Sequence, residues 1–427
     1  MKEKIRKVTF YSFFICVFFC FFACKNSSEP DTDNQTILSN NKEALFYTAQ
    51  QSVEIDEYIP LNDMDYPFAG LPRLVIETEN EEKIDSKEIA IPSRIQFYGE
   101  NAPESPIFNI SIRGRGNTSW NYPKKPYIME FEKKQSLLGM PKAKKWILLA
   151  NYIDRTLIRN AVAFEIARRT DLEWTPKGYF VEVFLNKNYI GNYYLCEKIE
   201  NKKNRLNLEQ DSYLLEFDTN MDSDYNFKTK YGQFSVYIKY PNNPNKEQIN
   251  KITSYIDSLE FYIYKKNIEK FSDYIDVNSL VDYFLVQELA KNDEIQFPKS
   301  LFMYKEGSDK LKFGPVWDFD WGTFSINKRH FRSATSFWFD KLISSNTFKK
   351  ELKKHWNAHK TSFSTIPSFV DSLADYTRES NNRNIKIWPI DVNFVGDETE
   401  DFDTAIQMLK ESIQNSIVEL DSLIDAL

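Results

Sequence analysis

The chain has few cysteines for its 427 residues, and their positions argue against a disulfide-stabilised fold. Cys16, Cys20 and Cys24 lie near the N-terminus, and only Cys196 remains in the rest of the chain. If Cys24 carries a lipid, as its surroundings indicate below, no intramolecular disulfide is available. The fold must then depend on its core, which a content of 42% hydrophobic and 15% aromatic residues makes feasible. Cys196 lies in an apolar strand pattern and is predicted to be a buried small hydrophobic residue.

Histidine is also scarce. The three histidines, His330, His355 and His359, form no ligand cluster with cysteines or carboxylates that the sequence reveals. This argues against a zinc site and against a Ser-His-Asp triad. A Gly-rich stretch, Arg113-Gly114-Arg115-Gly116, lacks the spacing of both the P-loop and the dinucleotide-binding motif.

Basic runs are missing as well. The formal net charge is −7, and no run of Lys or Arg longer than two occurs after the first 23 residues. Because binding to nucleic acids depends mainly on neutralising phosphates, we expect no nucleic-acid partner.

The N-terminus predicts export and a lipid anchor. Four basic residues in the first seven precede an uncharged run over 8–23, which is short for a membrane-spanning helix and typical of a signal peptide. The run ends Phe21-Phe22-Ala23-Cys24, which resembles a bacterial lipoprotein processing site. We therefore predict a signal peptide over 1–23, lipidation at Cys24, and a polar, flexible tether over 24–65. The protein would be membrane-anchored in the cell envelope, on the periplasmic face or the cell surface. An uncut signal anchor is the alternative.

The remaining pattern indicates an α+β fold with strands in the first half and helices in the second. Strands are predicted over 74–76, 95–98, 107–112, 127–131, 146–150 and 213–217, with hairpins over 179–199 and 301–313. Helices are predicted over about 156–169 with Asp154 as N-cap, and over 249–263, 277–291 and 406–424, whereas 219–245 suggests an irregular insertion. No linker is evident, so we expect one domain, 66–345, with a helical C-terminal subregion of that domain over 346–427.

The most informative segment is Trp317-Asp318-Phe319-Asp320-Trp321. If it is extended, Asp318 and Asp320 point to the same face. Two neighbouring carboxylates repel each other, and their burial without a partner is costly. The sequence therefore favours a site for a hard cation such as Mg²⁺ or Mn²⁺, with an exposed acidic turn as the alternative.

A second acidic pair, Asp293-Glu294, follows the predicted helix over 277–291 and precedes a hairpin. Protein kinases use the same order of catalytic carboxylate, hairpin and metal-binding aspartate. Lys125, at the start of a strand, is a candidate phosphate contact, although an ordinary edge-strand lysine fits equally well. Glu197, a charge within an apolar strand, is a candidate partner for Lys125 or belongs to a solvated face.

These segments resemble the spore coat protein H (CotH) kinase family, in the form found in Bacteroidetes lipoproteins. The resemblance covers about 110–325 and rests on the stretches Ile112-Arg113-Gly114-Arg115-Gly116-Asn117-Thr118-Ser119-Trp120, Pro123-Lys124-Lys125-Pro126-Tyr127, Leu137-Leu138-Gly139-Met140, Lys145-Trp146-Ile147-Leu148-Leu149-Ala150-Asn151-Tyr152, Leu157-Ile158-Arg159-Asn160, Gly191-Asn192-Tyr193-Tyr194-Leu195-Cys196-Glu197, Tyr213-Leu214-Leu215-Glu216-Phe217-Asp218 and Gly314-Pro315-Val316-Trp317-Asp318-Phe319-Asp320.

The resemblance implies an atypical protein-kinase-like fold that uses ATP and Mg²⁺ or Mn²⁺ to phosphorylate Ser or Thr side chains of a protein substrate. It implies metal binding by Asp318, with Asp320 beside it, and a phosphate contact from Lys125. The catalytic carboxylate is expected at Asp293, but the Asn292-Asp293-Glu294 order departs from the family's Asn-x-Asp, and Glu294 fits by spacing. The alternative function is a non-catalytic, pseudokinase-like lipoprotein that binds at the cell surface.

Overall fold

The first half of the chain forms a closed barrel of seven strands. The computed structural model describes residues 46–48, 57–219, 224–327, 331, 333–389, 399 and 401–427, which all belong to one unit, Leu45–Leu427. The barrel order is β1-β2-β3-β4-β5-β7-β6. Its strands are β1 (Arg73–Thr78), β2 (Ile91–Tyr98), β3 (Phe108–Gly114), β4 (Tyr127–Gln135), β5 (Ala143–Leu149), β6 (Gly178–Leu185) and β7 (Asn188–Glu197).

Alternating apolar residues place the barrel's core inside it. Met129, Phe131 and Trp146 are almost completely buried within this cluster. Neighbouring strands are antiparallel, and the parallel pairing of β1 with β6 closes the barrel. The strands predicted in this region are confirmed, and Cys196 is a free, buried cysteine as expected.

The hairpin of β6 and β7 turns where the sequence predicts it. Asn186 and Lys187 both have positive φ angles, +48° and +67°. Two such residues form the tight turn that matches the twist of a hairpin, and asparagine tolerates this conformation better than most residues.

A second sheet has the strand order β12-β11-β8-β10-β9. Its strands are β8 (Tyr213–Phe217), β9 (Asn226–Lys228), β10 (Ser235–Tyr240), β11 (Leu301–Lys305) and β12 (Lys312–Phe313). The predicted irregular insertion over 219–245 is therefore wrong for β9 and β10. These strands are short and lack a long alternating pattern, and pairing with β8, as in Val236 opposite Phe217, is what defines β10.

The second half is mainly helical, which makes the fold mixed α+β as predicted. The helices are α1 (Arg159–Arg168), α2 (Lys246–Lys265), α3 (Val277–Leu289), α4 (Phe339–Leu342), α5 (Asn346–Phe363), α6 (Ile366–Ile387) and α7 (Phe402–Asp425). Helix α3 is buried at every position from Leu280 to Leu289, so it forms the centre of the helical core. Within the described ranges, no helix combines the length and apolar character needed to cross a bilayer.

Helix α1 begins later than the sequence predicts. Its N-cap is Ile158, without a side-chain cap, and not Asp154. The Asp154 carboxylate instead accepts hydrogen bonds from the backbone N–H groups of Thr156 (2.9 Å) and Arg159 (2.8 Å). Asp154 thus stabilises the turn that leads into α1, and this turn sets the position of Asn160.

Candidate active site

An acidic cavity of about 420 Å³ contains both aspartates of the Trp-Asp-Phe-Asp-Trp segment. Its walls come from the loop after β3, the end of β8, the segment before β11 and the loop after β12. Its charged lining residues are Arg115, Glu216, Asp218, Glu294, Lys299, Asp318 and Asp320. Five carboxyl groups thus share this cavity with two cationic side chains.

The carboxyl groups of Asp318 and Asp320 are in direct contact, but the backbone is not extended at Asp318, the condition under which the sequence placed both on one face. Asp318 has a φ of +68°, which is left-handed backbone. The Asp320 carboxyl donates a hydrogen bond to Asp318, and Ser300 Oγ donates to Asp318 Oδ2 at 3.2 Å. The turn at Asp318, rather than strand alternation, therefore brings the two acids together.

Three backbone contacts hold the aspartate loop in place. The Phe319 N–H donates to Asn160 Oδ1 of helix α1 at 2.8 Å. The Phe324 N–H donates to the Ala290 carbonyl (2.6 Å), and the Asp293 N–H donates to the Gly322 carbonyl (3.2 Å). The loop after β12 is thereby fixed to both α1 and the segment that follows α3.

The segment after α3 presents Glu294 to the cavity. The Glu294 N–H donates to Asn292 Oδ1 at 3.0 Å, and Glu294 begins a short 3₁₀ helix, Glu294–Gln296. Asp293 is the N-cap of that helix and is not among the cavity's described lining residues. The two acidic residues considered from the sequence therefore occupy different environments.

Burial and mutual repulsion disfavour ionisation of these acids. Burial, and then the neighbouring Asp318, raise the pKa of Glu294 to about 8. Burial and the charge of Asp318 raise the pKa of Asp320 well above its usual range. Burial also raises the pKa of Asp318, against the opposing effect of Arg115. The site therefore strongly favours a positively charged occupant.

Arg115 is the cation that opposes the rise in the pKa of Asp318, as Lys299 does for Glu294. Its guanidinium lies 5.7 Å from the centre of the Trp317 ring, and its burial lowers the arginine pKa while Asp318 and Glu216 raise it. Glu216 also forms an ion pair with Lys239 at 2.9 Å. A buried arginine remains protonated at neutral pH, so Arg115 offsets only part of the negative charge.

Lys125 lies outside the described lining of this cavity. Its amine donates to the Trp120 carbonyl at 2.7 Å and lies 5.2 Å from the centre of the Trp120 ring. The neighbouring Lys124 is fully buried, and its amine donates to the carbonyls of Ala150 (2.8 Å) and Asn192. Burial lowers the pKa of Lys124 well below its usual value. The phosphate-contact role of Lys125 remains a prediction that this geometry does not favour.

The proposed pairing of Glu197 with Lys125 is wrong. Glu197 forms a buried ion pair with Arg205 at 2.7 Å and accepts a hydrogen bond from the Lys177 N–H at 3.0 Å. In the described part of the chain, Lys125 and Glu197 thus have different partners. The position of Glu197 within an apolar strand indicated a buried ion-pair partner, but the sequence did not show that this partner is Arg205.

Sequence reasoning assigned no role to several residues of this cavity. Three of them, Arg115, Glu216 and Asp218, lie in stretches that resemble the family. Their place in those stretches could have identified them as candidate site residues. Lys299 and Ser300 precede β11 and carried no comparable signal. The Ser300 N–H donates to Asp218 Oδ2 at 3.3 Å, which joins two walls of the cavity.

The expectation that the histidines form no ligand cluster with carboxylates is wrong for His355 and His359. His355 Nδ1 lies 2.7 Å from Asp282 Oδ1, and His359 Nε2 lies 3.4 Å from the same oxygen. Asp282 is in α3, more than 70 residues before these histidines, so the sequence spacing could not show this cluster. His330 and Cys24 lie outside the described residues.

The acidic cavity fits a divalent cation and has room for a small ligand. Carboxylate oxygens are the ligands preferred by Mg²⁺ and Mn²⁺, and the protein's own cations do not offset the burial and repulsion that raise the pKa values of Asp318, Asp320 and Glu294. A volume of about 420 Å³ falls within the range of small-molecule sites. The exposed Trp321 adds an aromatic surface at its edge.

Comparison with known proteins agrees with this arrangement. The family described as CotH kinase protein matches residues 112–417, which is well over half of the chain. The match includes every residue named above as a wall of the acidic cavity. No curated protein matches the chain. A matched region of this extent, which includes the whole acidic cavity, shows that the chain belongs to the CotH kinase family.

Proposed function

We propose that the protein is an exported atypical Ser/Thr protein kinase that uses ATP and Mg²⁺ or Mn²⁺. The observation that carries this proposal is the acidic cavity, in which five carboxyl groups surround Arg115 and Lys299 in a member of the CotH kinase family. The barrel and the helical half correspond, in this proposal, to an atypical protein-kinase-like fold.

Asp318 and Asp320 are the proposed metal ligands. They share one wall of the cavity, and Ser300 and Asn160 fix the loop that carries them. A divalent cation, when bound, would neutralise the charge of the phosphates and polarise the transferred group. These carboxyl groups are already in contact, so both could bind one ion once the proton between them leaves.

Glu294 is our choice for the catalytic carboxylate, in preference to Asp293. Glu294 lines the cavity, whereas Asp293 is not among its described lining residues. In the proposed reaction, a Ser or Thr hydroxyl oxygen attacks the γ-phosphorus, the bond to the β–γ bridging oxygen breaks, and ADP leaves. A bound cation would favour the ionised form of Glu294, which then accepts the hydroxyl proton.

Arg115 and Lys299 are the proposed phosphate contacts. Both line the cavity together with its carboxyl groups, and Arg115 lies against Trp317. An arginine can bind phosphate oxygens through two N–H groups at once, while a lysine supplies a point charge.

Phosphate transfer tests this function directly. Purified protein with γ-labelled ATP and Mg²⁺ or Mn²⁺ is expected to label itself or a Ser-rich peptide, and Asp318→Asn and Glu294→Gln are expected to abolish labelling. Asp375→Asn, an exposed aspartate of α6, is the matched control. Nucleotide binding without transfer would support the non-catalytic alternative, and labelling unchanged in both cavity variants would refute the assigned roles.

Lipidation at Cys24 and location in the cell envelope are part of the same proposal. They rest on the N-terminal sequence alone. Labelling of cells with radioactive palmitate is expected to mark the wild-type protein and not Cys24→Ser. Equal labelling of both proteins would refute the anchor.

A further inference from the structure

Four side chains outside the acidic cavity form a second candidate ion site, which we call the His/Asp cluster. It consists of Asp171, Asp282, His355 and His359, and one ligand atom from each lies within 4.8 Å of the others. Asp282 belongs to α3, and Asp171 follows α1. His355 and His359 are four residues apart on α5, a spacing that places both on one face of a helix.

Asp282 is the centre of the cluster and is completely buried. Its Oδ2 accepts the Asp171 backbone N–H at 3.0 Å. Its Oδ1 lies 2.7 Å from His355 Nδ1 and 3.4 Å from His359 Nε2. A carboxylate this deep in the helical core requires compensation of its charge.

His359 Nε2 has the surroundings of a metal ligand. Among the described residues, this buried nitrogen has no hydrogen-bond partner of acceptable geometry. It faces Asp282 Oδ1 at 3.4 Å and Asp171 Oδ2 at 3.7 Å. Ligand atoms on a tetrahedral ion with bonds of about 2.0–2.2 Å are separated by roughly 3.3–3.6 Å, so these two separations are close to those around one ion.

His355 contributes to this arrangement through its contact with the Asp282 carboxylate. Its Nδ1 contacts Asp282 Oδ1, and its Nε2 lies 3.1 Å from Asn278 Oδ1. At 2.7 Å, His355 Nδ1 and Asp282 Oδ1 are too close to bind one ion together, so His355 holds the carboxylate in position. Such supporting contacts tune metal affinity.

A cavity of about 390 Å³ gives access to the cluster. Asp171 and His355 line it, together with Glu173, Lys312 and Lys354. The cavity therefore reaches two members of the cluster, Asp171 and His355, and an ion can approach the cluster from the exposed side of Asp171.

We propose that His359, Asp282 and Asp171 bind one Zn²⁺ ion, with His355 positioning Asp282. The combination of imidazole and carboxylate favours Zn²⁺ over Mg²⁺, which prefers oxygen ligands alone. The ion would tie α5 to α3 and to the turn at Asp171. This site is independent of the proposed kinase function, because it shares no lining residue with the acidic cavity.

Calorimetric titration with ZnCl₂ tests the proposal, using detergent-solubilised full chain without a polyhistidine tag and with excess Mg²⁺. We expect one Zn²⁺ per chain and a rise in the melting temperature on its addition. Asp171→Asn and His359→Gln should each weaken binding at least about tenfold, and His355→Gln by about tenfold. Because the Asp171 side chain is 74% exposed, Asp171→Asn should fold normally.

Three controls make the titration decisive. Asp375→Asn changes an aspartate of similar exposure, 73%, and His330→Gln removes the histidine that lies outside the described residues. Both should bind Zn²⁺ as wild type does, and so should Asp318→Asn. Absence of binding in the wild-type protein, unchanged binding in both Asp171→Asn and His359→Gln, or loss of binding in Asp318→Asn would each overturn the proposal.

Discussion

Replacement of Asn160 by alanine tests how the acidic cavity is built. Asn160 is 2% exposed, and its Oδ1 accepts the N–H of the completely buried Phe319, between the two aspartates. Its Nδ2 donates to Asn151 Oδ1 at 3.0 Å. Asn160→Ala leaves the Phe319 N–H without this partner, and also removes the donor to Asn151.

The expected cost follows from these two contacts. A buried N–H without a partner costs about 1–3 kcal/mol, and loss of the second hydrogen bond adds about 1 kcal/mol, so we expect a fall of about 2–4 kcal/mol in the free energy of unfolding. The left-handed conformation of Asp318 is itself unfavourable by about 1–2 kcal/mol. Without the contact to Asn160, the loop is expected to relax and to separate the carboxyl groups.

Affinity for metal and nucleotide distinguishes this role from a general loss of stability. We expect Asn160→Ala to weaken binding of Mn²⁺ with a non-hydrolysable ATP analogue by about tenfold or more, which corresponds to about 1.4 kcal/mol. Chemical denaturation and calorimetric titration measure the two effects.

Asn384→Ala is the matched control. Asn384 is 3% exposed, and its Oδ1 accepts the N–H of the buried Asn192 at 3.1 Å, away from the aspartate loop. We expect it to lose about 1–3 kcal/mol of stability and to keep its affinity within about twofold. Equal losses of affinity in both variants would refute the positioning role of Asn160.

Three further predictions concern charged side chains. Lys299→Met is expected to weaken nucleotide binding, because Lys299 lines the acidic cavity. Lys125→Met should leave the nucleotide affinity within about twofold, because the Lys125 amine donates to the Trp120 carbonyl. Titration of both variants with nucleotide tests this, and a larger loss of affinity in Lys125→Met than in Lys299→Met would support Lys125 as the phosphate contact instead. Glu197→Gln should lower the free energy of unfolding by about 3–5 kcal/mol, because Arg205 then stays buried without its ion-pair partner. Chemical denaturation measures this loss, and a value below about 1 kcal/mol would contradict the prediction. Burial raises the pKa of Glu288 from 4.5 to about 7, so the folded state binds a proton more tightly than the unfolded state does. The free energy of unfolding should therefore fall as pH rises from about 4.5 through 7, by about 3 kcal/mol relative to Glu288→Gln. Parallel pH profiles of stability for the two proteins would contradict this.

The predictability of this fold from sequence depended on local pattern. Strong alternation and a turn of Asn186 and Lys187 predicted the β6–β7 hairpin well, because both signals lie within a few residues. The two strands β9 and β10 were missed, because β10 depends on pairing with β8, and β9 on pairing with β10, rather than on their own short sequences. The start of α1 was misplaced because Asp154 stabilises the turn before the helix.

The sequence predicted which side chains the candidate site contains better than it predicted how the backbone arranges them. The Asp318-Phe319-Asp320 spacing pointed to two adjoining carboxyl groups, and these do touch, although a left-handed residue brings them together instead of an extended strand. The electrostatic partners were not predictable, because Arg115 reaches Asp318 from some 200 residues away and Glu197 meets Arg205 only through a folded loop.

The central claim is that Asp318 and Asp320 hold a divalent cation that brings a nucleoside triphosphate into the acidic cavity. The most direct measurement is calorimetric titration of the wild-type protein and Asp318→Asn with a non-hydrolysable ATP analogue, in Mg²⁺ and in EDTA. The account predicts one nucleotide per chain in Mg²⁺ and no detectable binding in EDTA or to Asp318→Asn. Nucleotide binding of equal strength in all three conditions, or none in any of them, would contradict it.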